Sequence, residues 1–209
     1  MHMKTARVVF AVLFIILVPP VLLLTDVQMV AYDRDYYRAE YDKYSIPGHI
    51  GMSMDNLMEA TEKLLLYLDN KRDDLNFKAS FNHGEEEFFS PRDKLHMIDV
   101  RGLFVRGRLF RDISLIYIAV FIMLLFRGKP FRNQLRKLAR HGIAISAAGI
   151  APVIVLIILM KIDFYKYFTV FHEIFFTNDL WLLDPAADRL INIFPQDFFT
   201  DMAFSISYL

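Results

Sequence analysis

Two histidines in this 209-residue chain sit where acid–base chemistry could be done. His96 lies in Lys94–Val100, KLHMIDV, and Asp99 follows it by three residues. On a helix that spacing puts imidazole and carboxylate on one face, so the acid could orient the ring. His172 opens a denser run, FHEIFFTNDLWLLDP, in which Glu173, Asn178, Asp179 and Asp184 sit among Phe and Trp rings. Ionisable groups in such surroundings cost free energy unless paired, which makes them functional candidates. A solvated helix with an incidental salt bridge would account for His96 and Asp99 alone. Two histidines beside acids, each bordering an apolar segment, shift the balance toward catalysis.

Several chemistries drop out on composition and spacing. The chain has no cysteine, so it has no thiolate nucleophile, disulfide or Cys-built zinc site. His172-Glu173 is followed by Phe176 where a metalloprotease needs its second histidine. The serine elbow fails at GMSMD, where Asp55 stands in place of the second glycine. No Gly-rich phosphate loop is present, so nothing points to a nucleotide. At 55% apolar, with 20 Phe and equal numbers (24 each) of basic and acidic residues, the chain is neither disordered nor a nucleic-acid coat.

The elements that must position these residues are membrane helices. Val8 to Leu24 is an uncharged run behind Lys4 and Arg7, with no small-residue cleavage pair after it, and reads as an uncleaved anchor kinked at Pro19 and Pro20. Gly142 to Met160 is a full-length span whose Ala, Ser and Gly cluster suits close helix contact. Ile113 to Phe126 is shorter, but Arg111, Asp112 and Arg127 can snorkel from its ends. Met202 to Leu209 is uncharged and apolar, and is expected to begin a fourth helix whose remainder lies beyond the sequence.

The balanced charge separates once these spans are drawn. Residues 1–7 and the loop 127–141 carry 8 basic groups and no acid, which by the positive-inside rule makes them cytoplasmic. The remaining segments carry 16 basic against 24 acidic groups and lie outside. The expected organisation is an all-α polytopic membrane protein: helix 1 in 1–31, an extracellular cap in 32–108, helix 2 in 109–127, a basic cytoplasmic loop in 128–141, helix 3 in 142–160, an aromatic-rich extracellular segment in 161–201 and the start of helix 4 in 202–209. Within the cap, Ser53 to Asp69 opens with an N-cap and places Leu57, Met58, Leu64, Leu65 and Leu68 largely on one face of a helix. Ile46-Pro47-Gly48 signals a turn. Leu75 to Phe81 and Glu85 to Pro91 read as a short β-hairpin.

KLHMIDV, the long run FHEIFFTNDLWLLDPAADRLINIFPQDFFTD from Phe171 to Asp201, and GMSMDNLMEATEKLLLYL in the cap resemble the lipoprotein intramolecular transacylase family of Gram-positive bacteria, over essentially the whole chain. The resemblance implies four membrane helices, an extracellular cap and two catalytic histidines at the cap–membrane boundary, here His96 and His172. It implies transfer of the sn-2 acyl chain of a diacylated lipoprotein to the α-amino group of its N-terminal cysteine, with membrane lipid as surroundings and neither cofactor, metal nor nucleic acid required. On that reading Asp99 orients His96, Asn178 and Asp179 bind the amine or position the second imidazole, and Trp181 packs against lipid. Asp179 and Asp184 could equally be helix N-caps. Two other readings stay open from the residues: a zinc-dependent lipid amidase or esterase held by His96, His172 and an Asp, and a non-catalytic membrane protein whose aromatic cap binds lipid or a partner.

Overall fold

The computed structural model describes residues 2–127, 141–143, 145, 149, 151–152, 154–155, 158–159 and 161–208, with side chains from Val8 onward. The chain is mostly helical. Helix α1, His2–Ala31, carries the first apolar run, with Pro19 and Pro20 inside it. Helix α5, Pro91–Phe126, is a single rod of 36 residues that begins in the cap and ends at the far side of the second apolar stretch. Among the described residues these are the two helices long and apolar enough to cross a membrane. Their surfaces are greasy where no partner covers them, as at Val8, Ile16, Ile116 and Met123, each more than half exposed.

The two rods pack along their length. Phe14 stacks on Phe121 at 4.6 Å, Tyr117 Oη donates to the Phe10 carbonyl at 2.8 Å, and Arg111 donates to the Gln28 side chain. The third apolar stretch is described only in part, but each described residue from 141 to 162 is helical. A Cβ built on Gly149 would lie 3.0 Å from Pro19 Cβ, so the expected close approach of small residues occurs at the Pro19–Pro20 pair of α1. The basic loop 128–141 lies, apart from His141, outside the described residues.

Between the rods the chain builds the cap. Helix α2, Arg34–Lys43, is capped by Asp33, whose carboxylate accepts from the amides of Asp35 and Tyr36. Helix α3, Ile46–Ile50, follows where a turn was expected, with Ser45 and Gly51 in left-handed conformation at its ends. Helix α4, Met54–Leu68, is capped by Ser53 and buries Leu57, Met58, Leu64, Leu65 and Leu68, the face its spacing foretells. Strands β1, Lys78–Phe81, and β2, Gly84–Glu87, pair antiparallel with Phe81 opposite Gly84. The second strand stops short of Pro91 because Ser90 turns to cap α5.

Helix α6, Phe164–Phe175, continues beyond the third apolar stretch. A looped segment, the short helix α7, Leu190–Ile193, and helix α8, Gln196–Tyr208, complete the described chain. Neither Asp179 nor Asp184 starts a helix. The Asp184 carboxylate instead accepts from the Ala186 amide in a turn around Pro185. The cap core joins the two polar segments, 32–108 and 161–201: Tyr37 and Tyr41 of α2 pack against Phe194 and Phe198, and the fully buried Tyr41 hydroxyl bonds Thr61 at 2.9 Å.

Gly149→Val should lower the thermal unfolding temperature of the purified protein, because added methyl groups must displace Pro19 at a cost of about 1–3 kcal/mol. Gly142→Val, where nothing lies within 4 Å of the added Cβ, should leave it unchanged.

Candidate active site

The site begins with the way α5 starts. Ser90 Oγ accepts from the Asp93 amide and the Asp93 carboxylate accepts from the Ser90 amide, a reciprocal capping box with Pro91 in the first turn. Asp93 is fully buried, and its oxygens also accept from the amides of Arg189 and Leu190 at 3.0 and 3.3 Å. Ser90 Oγ donates to Asp188 at 2.6 Å, and Asp188 accepts from the Asp184 amide. The first turn of α5 is thereby bonded to a segment nearly a hundred residues later. Next to it, Arg92 donates to the carbonyls of Asp179 and Leu182 and lies 3.7 Å from the Asp179 carboxylate.

These bonds bring the two histidines together. His96, one turn into α5, and His172, near the end of α6, are both buried, with ring centroids 5.9 Å apart. Rings enclose them: Phe168 and Trp181 lie 4.2 and 4.9 Å from His172, and Phe176 lies 5.4 Å from both. The Trp181 indole N–H donates to the Asn178 carbonyl, which fixes its plane over His172.

Hydrogen bonding distinguishes the two imidazoles. His172 Nδ1 lies 2.7 Å from the Phe168 carbonyl of the preceding turn. A carbonyl only accepts, so Nδ1 carries the proton and the neutral ring keeps its lone pair on Nε2. His96 Nδ1 is buried without a hydrogen-bond partner among the described residues. Asp99 does not supply one: its carboxylate accepts from Asn178 Nδ2 at 2.8 Å, so the expected orienting bond is replaced by a contact across the site. The Asp179 side chain is 78% exposed and turned to Arg92, away from the rings. Among the described residues no three of His, Asp and Glu converge as a metal cluster would require.

Ser90, Arg92, Asp93, Asp188 and Arg189 escape the sequence reading. A readable signal did exist for two of them, since S-P-R-D before a long apolar helix is a capping-box pattern.

The sequence model of the family described as lipoprotein intramolecular transacylase Lit matches residues 12–199. The chain belongs to the Lit family. No curated protein matches it. Among solved structures, the membrane-integral Lit of Bacillus cereus is 22% identical with a TM-score of 0.78, covering 98% of this chain and 87% of that one. A Bacillus cereus Lit structure with a histidine-to-alanine mutation is 21% identical with a TM-score of 0.77, covering 99% and 88%. The fold is shared with these proteins. The protein is therefore a transacylase of the Lit family, membrane-integral and lipoprotein-modifying by its family.

In this Lit-family chain the histidine pair is held neutral. Burial pushes His96 down to about 4 from 6.5, with a protonated His172 and Arg92 acting in the same direction and Asp99 opposing them. Burial also lowers His172, against the hydrogen bond to the Phe168 carbonyl. Both folded-state values lie below the unfolded ones, so the unfolded chain binds more protons in this window. Stability is complete above about pH 6.5 and falls as the pH drops toward 4. The unfolding temperature should decline across that range, and decline less in His96→Gln.

Arg92→Gln should raise the His96 pKa, read as its imidazole proton shift in an NMR titration, because a neighbouring positive charge is lost. Arg92→Lys keeps the charge without the planar fork that grips two carbonyls. It should leave the His96 pKa near the parent value while disturbing the Trp181 resonances.

Proposed function

We propose that this Lit-family chain transfers the sn-2 acyl chain of a diacylglyceryl-modified lipoprotein to the α-amino group of its own N-terminal cysteine, leaving the lyso form. The observation that carries the proposal is the convergence of His96 and His172 in one aromatic enclosure. We also read four membrane helices, the N-terminus in the cytoplasm, and the cap and site on the outer face. The split of basic and acidic residues between segments supports that orientation.

The chemistry demands little energy and much positioning. Ester to amide is downhill, so no nucleotide is needed. An α-amine with a pKa of about 8 is mostly protonated at neutral pH, so a base must expose its lone pair. The attack closes a ring of about eight atoms, from nitrogen through the cysteine carbons, sulfur and two glyceryl carbons to the ester oxygen and acyl carbon, so orientation is the main barrier. Enclosing rings would hold that conformer and keep out water, which would otherwise hydrolyse the ester.

His172 serves as the base through Nε2, and the Phe168 carbonyl stabilises the imidazolium that forms. Nitrogen attacks the acyl carbon, the C–N bond forms, and the carbon–oxygen bond to glycerol breaks. The proton His172 takes from the ammonium is released to solvent before attack, and the proton the nitrogen sheds on becoming an amide passes by way of His172 to the departing glyceryl oxygen. His96 is neutral at pH 7 and serves as the hydrogen-bond donor to the oxyanion or to that leaving oxygen. Asp99, joined to Asn178, receives the substrate ammonium before it is deprotonated, and Trp181 packs on the acyl chain.

Mass spectrometry of the N-terminal peptide of a cellular lipoprotein, with and without the protein expressed, reads the reaction directly. Expression should move one acyl chain from glycerol to nitrogen, and His96→Ala and His172→Ala should each lower the lyso product by roughly 100-fold or more. Acyl chains remaining on glycerol, or a lyso product unchanged in both variants, would sink the proposal. Loss of activity on chelation with EDTA would replace it with a metal-dependent scheme.

A further inference from the structure

The face of α5 turned away from His96 carries a second feature. Lys94, Ile98, Arg101 and Val105 fall roughly opposite His96 at about 3.6 residues per turn. Together with Leu75 they line an open groove of about 650 Å³ between α5 and the chain that follows α4.

Among the described residues, two guanidinium groups in this groove lack a carboxylate partner. Arg101 is bonded to neutral acceptors, the Asn70 side chain and the Asp73 carbonyl, and stacks over Tyr67 at 4.6 Å. Arg106 makes no hydrogen bond or ion pair among the described residues. Its head is folded back against Gly102, where an added Cβ would lie 3.1 Å from Nη1 and 3.6 Å from Cζ. The glycine leaves room for the guanidinium to lie against the helix rather than extend away from it. Asp73 and Asp74 line the same groove, where Asp74 lies 3.8 Å from Arg72 and accepts from the Asn76 amide at 2.8 Å through one oxygen.

The height of the groove is set by the helix. The eighteen residues from Leu109 to Phe126 make about 27 Å of helix, close to the thickness of a bilayer's hydrocarbon core, with Arg111 and Asp112 snorkelling from its cap end. Arg106 stands about 4.5 Å above that end, within the headgroup layer, and Arg101 about 12 Å above it. Arg101 and Arg106 therefore bracket the level at which lipid phosphates lie. Ile98 and Val105 give the groove an apolar wall.

We infer that this groove binds the headgroup of an aminophospholipid, its phosphate on Arg101 and Arg106 and its ammonium toward Asp73 and Asp74. Charge-assisted bonds from a guanidinium fork suit a phosphate, and the paired carboxylates select a headgroup that also carries an amine. Only the choice of leaflet, the outer one, rests on the orientation proposed above. The lipid is a resident ligand, distinct from the acylated lipoprotein, whose thioether-linked glycerol carries no phosphate.

The test is native mass spectrometry of the full chain in detergent, titrated separately with phosphatidylethanolamine, phosphatidylglycerol and diacylglycerol. One phosphatidylethanolamine should be retained at lower lipid concentration than the other two. Arg106→Gln, which removes no hydrogen bond or ion pair among the described residues, should raise the concentration needed by about fivefold. Asp73→Asn with Asp74→Asn should erase the preference over phosphatidylglycerol, and Arg34→Gln, a cation already paired with Glu62, should change nothing. Equal retention of all three lipids, tighter phosphatidylglycerol than phosphatidylethanolamine, an Arg106→Gln titration matching the parent, or displacement of the lipid by inorganic phosphate alone would each overturn the inference. Because the readout is bound lipid, it stands or falls separately from acyl transfer.

Discussion

The buried carboxylate of Asp93 is the constraint from which the rest of the site follows. Asp93 closes the capping box at the start of α5, and its carboxylate also accepts from the backbone amides of Arg189 and Leu190 in the segment after α6. Burial pushes its pKa up, and the amide hydrogen bonds pull it back toward the charged form. A buried acid that lost those donors would leave its desolvation uncompensated, so the start of α5 and the segment after α6 are bound to one arrangement. Everything nearby is set relative to that knot: Arg92 holds the carbonyls of the loop, Trp181 is carried on the loop, and His96 stands on the same helix one turn further on.

Enclosure and basicity pull in opposite directions at the histidine pair. Rings that exclude water favour an intramolecular attack over hydrolysis, yet the same burial weakens each imidazole as a base. The hydrogen bond from His172 to the Phe168 carbonyl offsets part of this on one ring only. His96, whose Nδ1 is buried without a hydrogen-bond partner among the described residues, has no such bond, and only the Asp99 charge opposes its burial. Two chemically identical residues are thus made unequal by one backbone carbonyl, which suits a reaction needing one group to take a proton and another to stay neutral.

How much of this was legible depended on whether the signal was local. Helix α4 could be read because Ser53 caps it and its leucines repeat on one face. Helix α2 could not, because its buried face is made of Tyr37 and Tyr41, whose polar hydroxyls disguise a core stripe within a charged sequence. The two histidines were readable from residue type and surroundings. The partner of Asp99 was not: spacing three along a helix permits a bond to His96, but Asn178, 79 residues away, takes the carboxylate, and only the folded chain brings it near. The loop-fixing role of Arg92 was hidden for the same reason, since its acceptors are backbone carbonyls that carry no residue code.

Helix α5 runs unbroken from the cap through its apolar stretch, and this couples two quantities that a jointed chain would keep separate. Each residue inserted or removed between Arg101 and Arg111 would move His96 along the axis by about 1.5 Å and also swing it around the axis by about 100°. A one-residue change would aim the imidazole away from His172 long before the height mattered. Steps of about seven residues, two turns, restore the direction, and each such step changes the height by roughly 10 Å. The elevation of the site above the bilayer is therefore quantised, and adaptation to a thicker or thinner membrane has to come from tilting the rod rather than lengthening it.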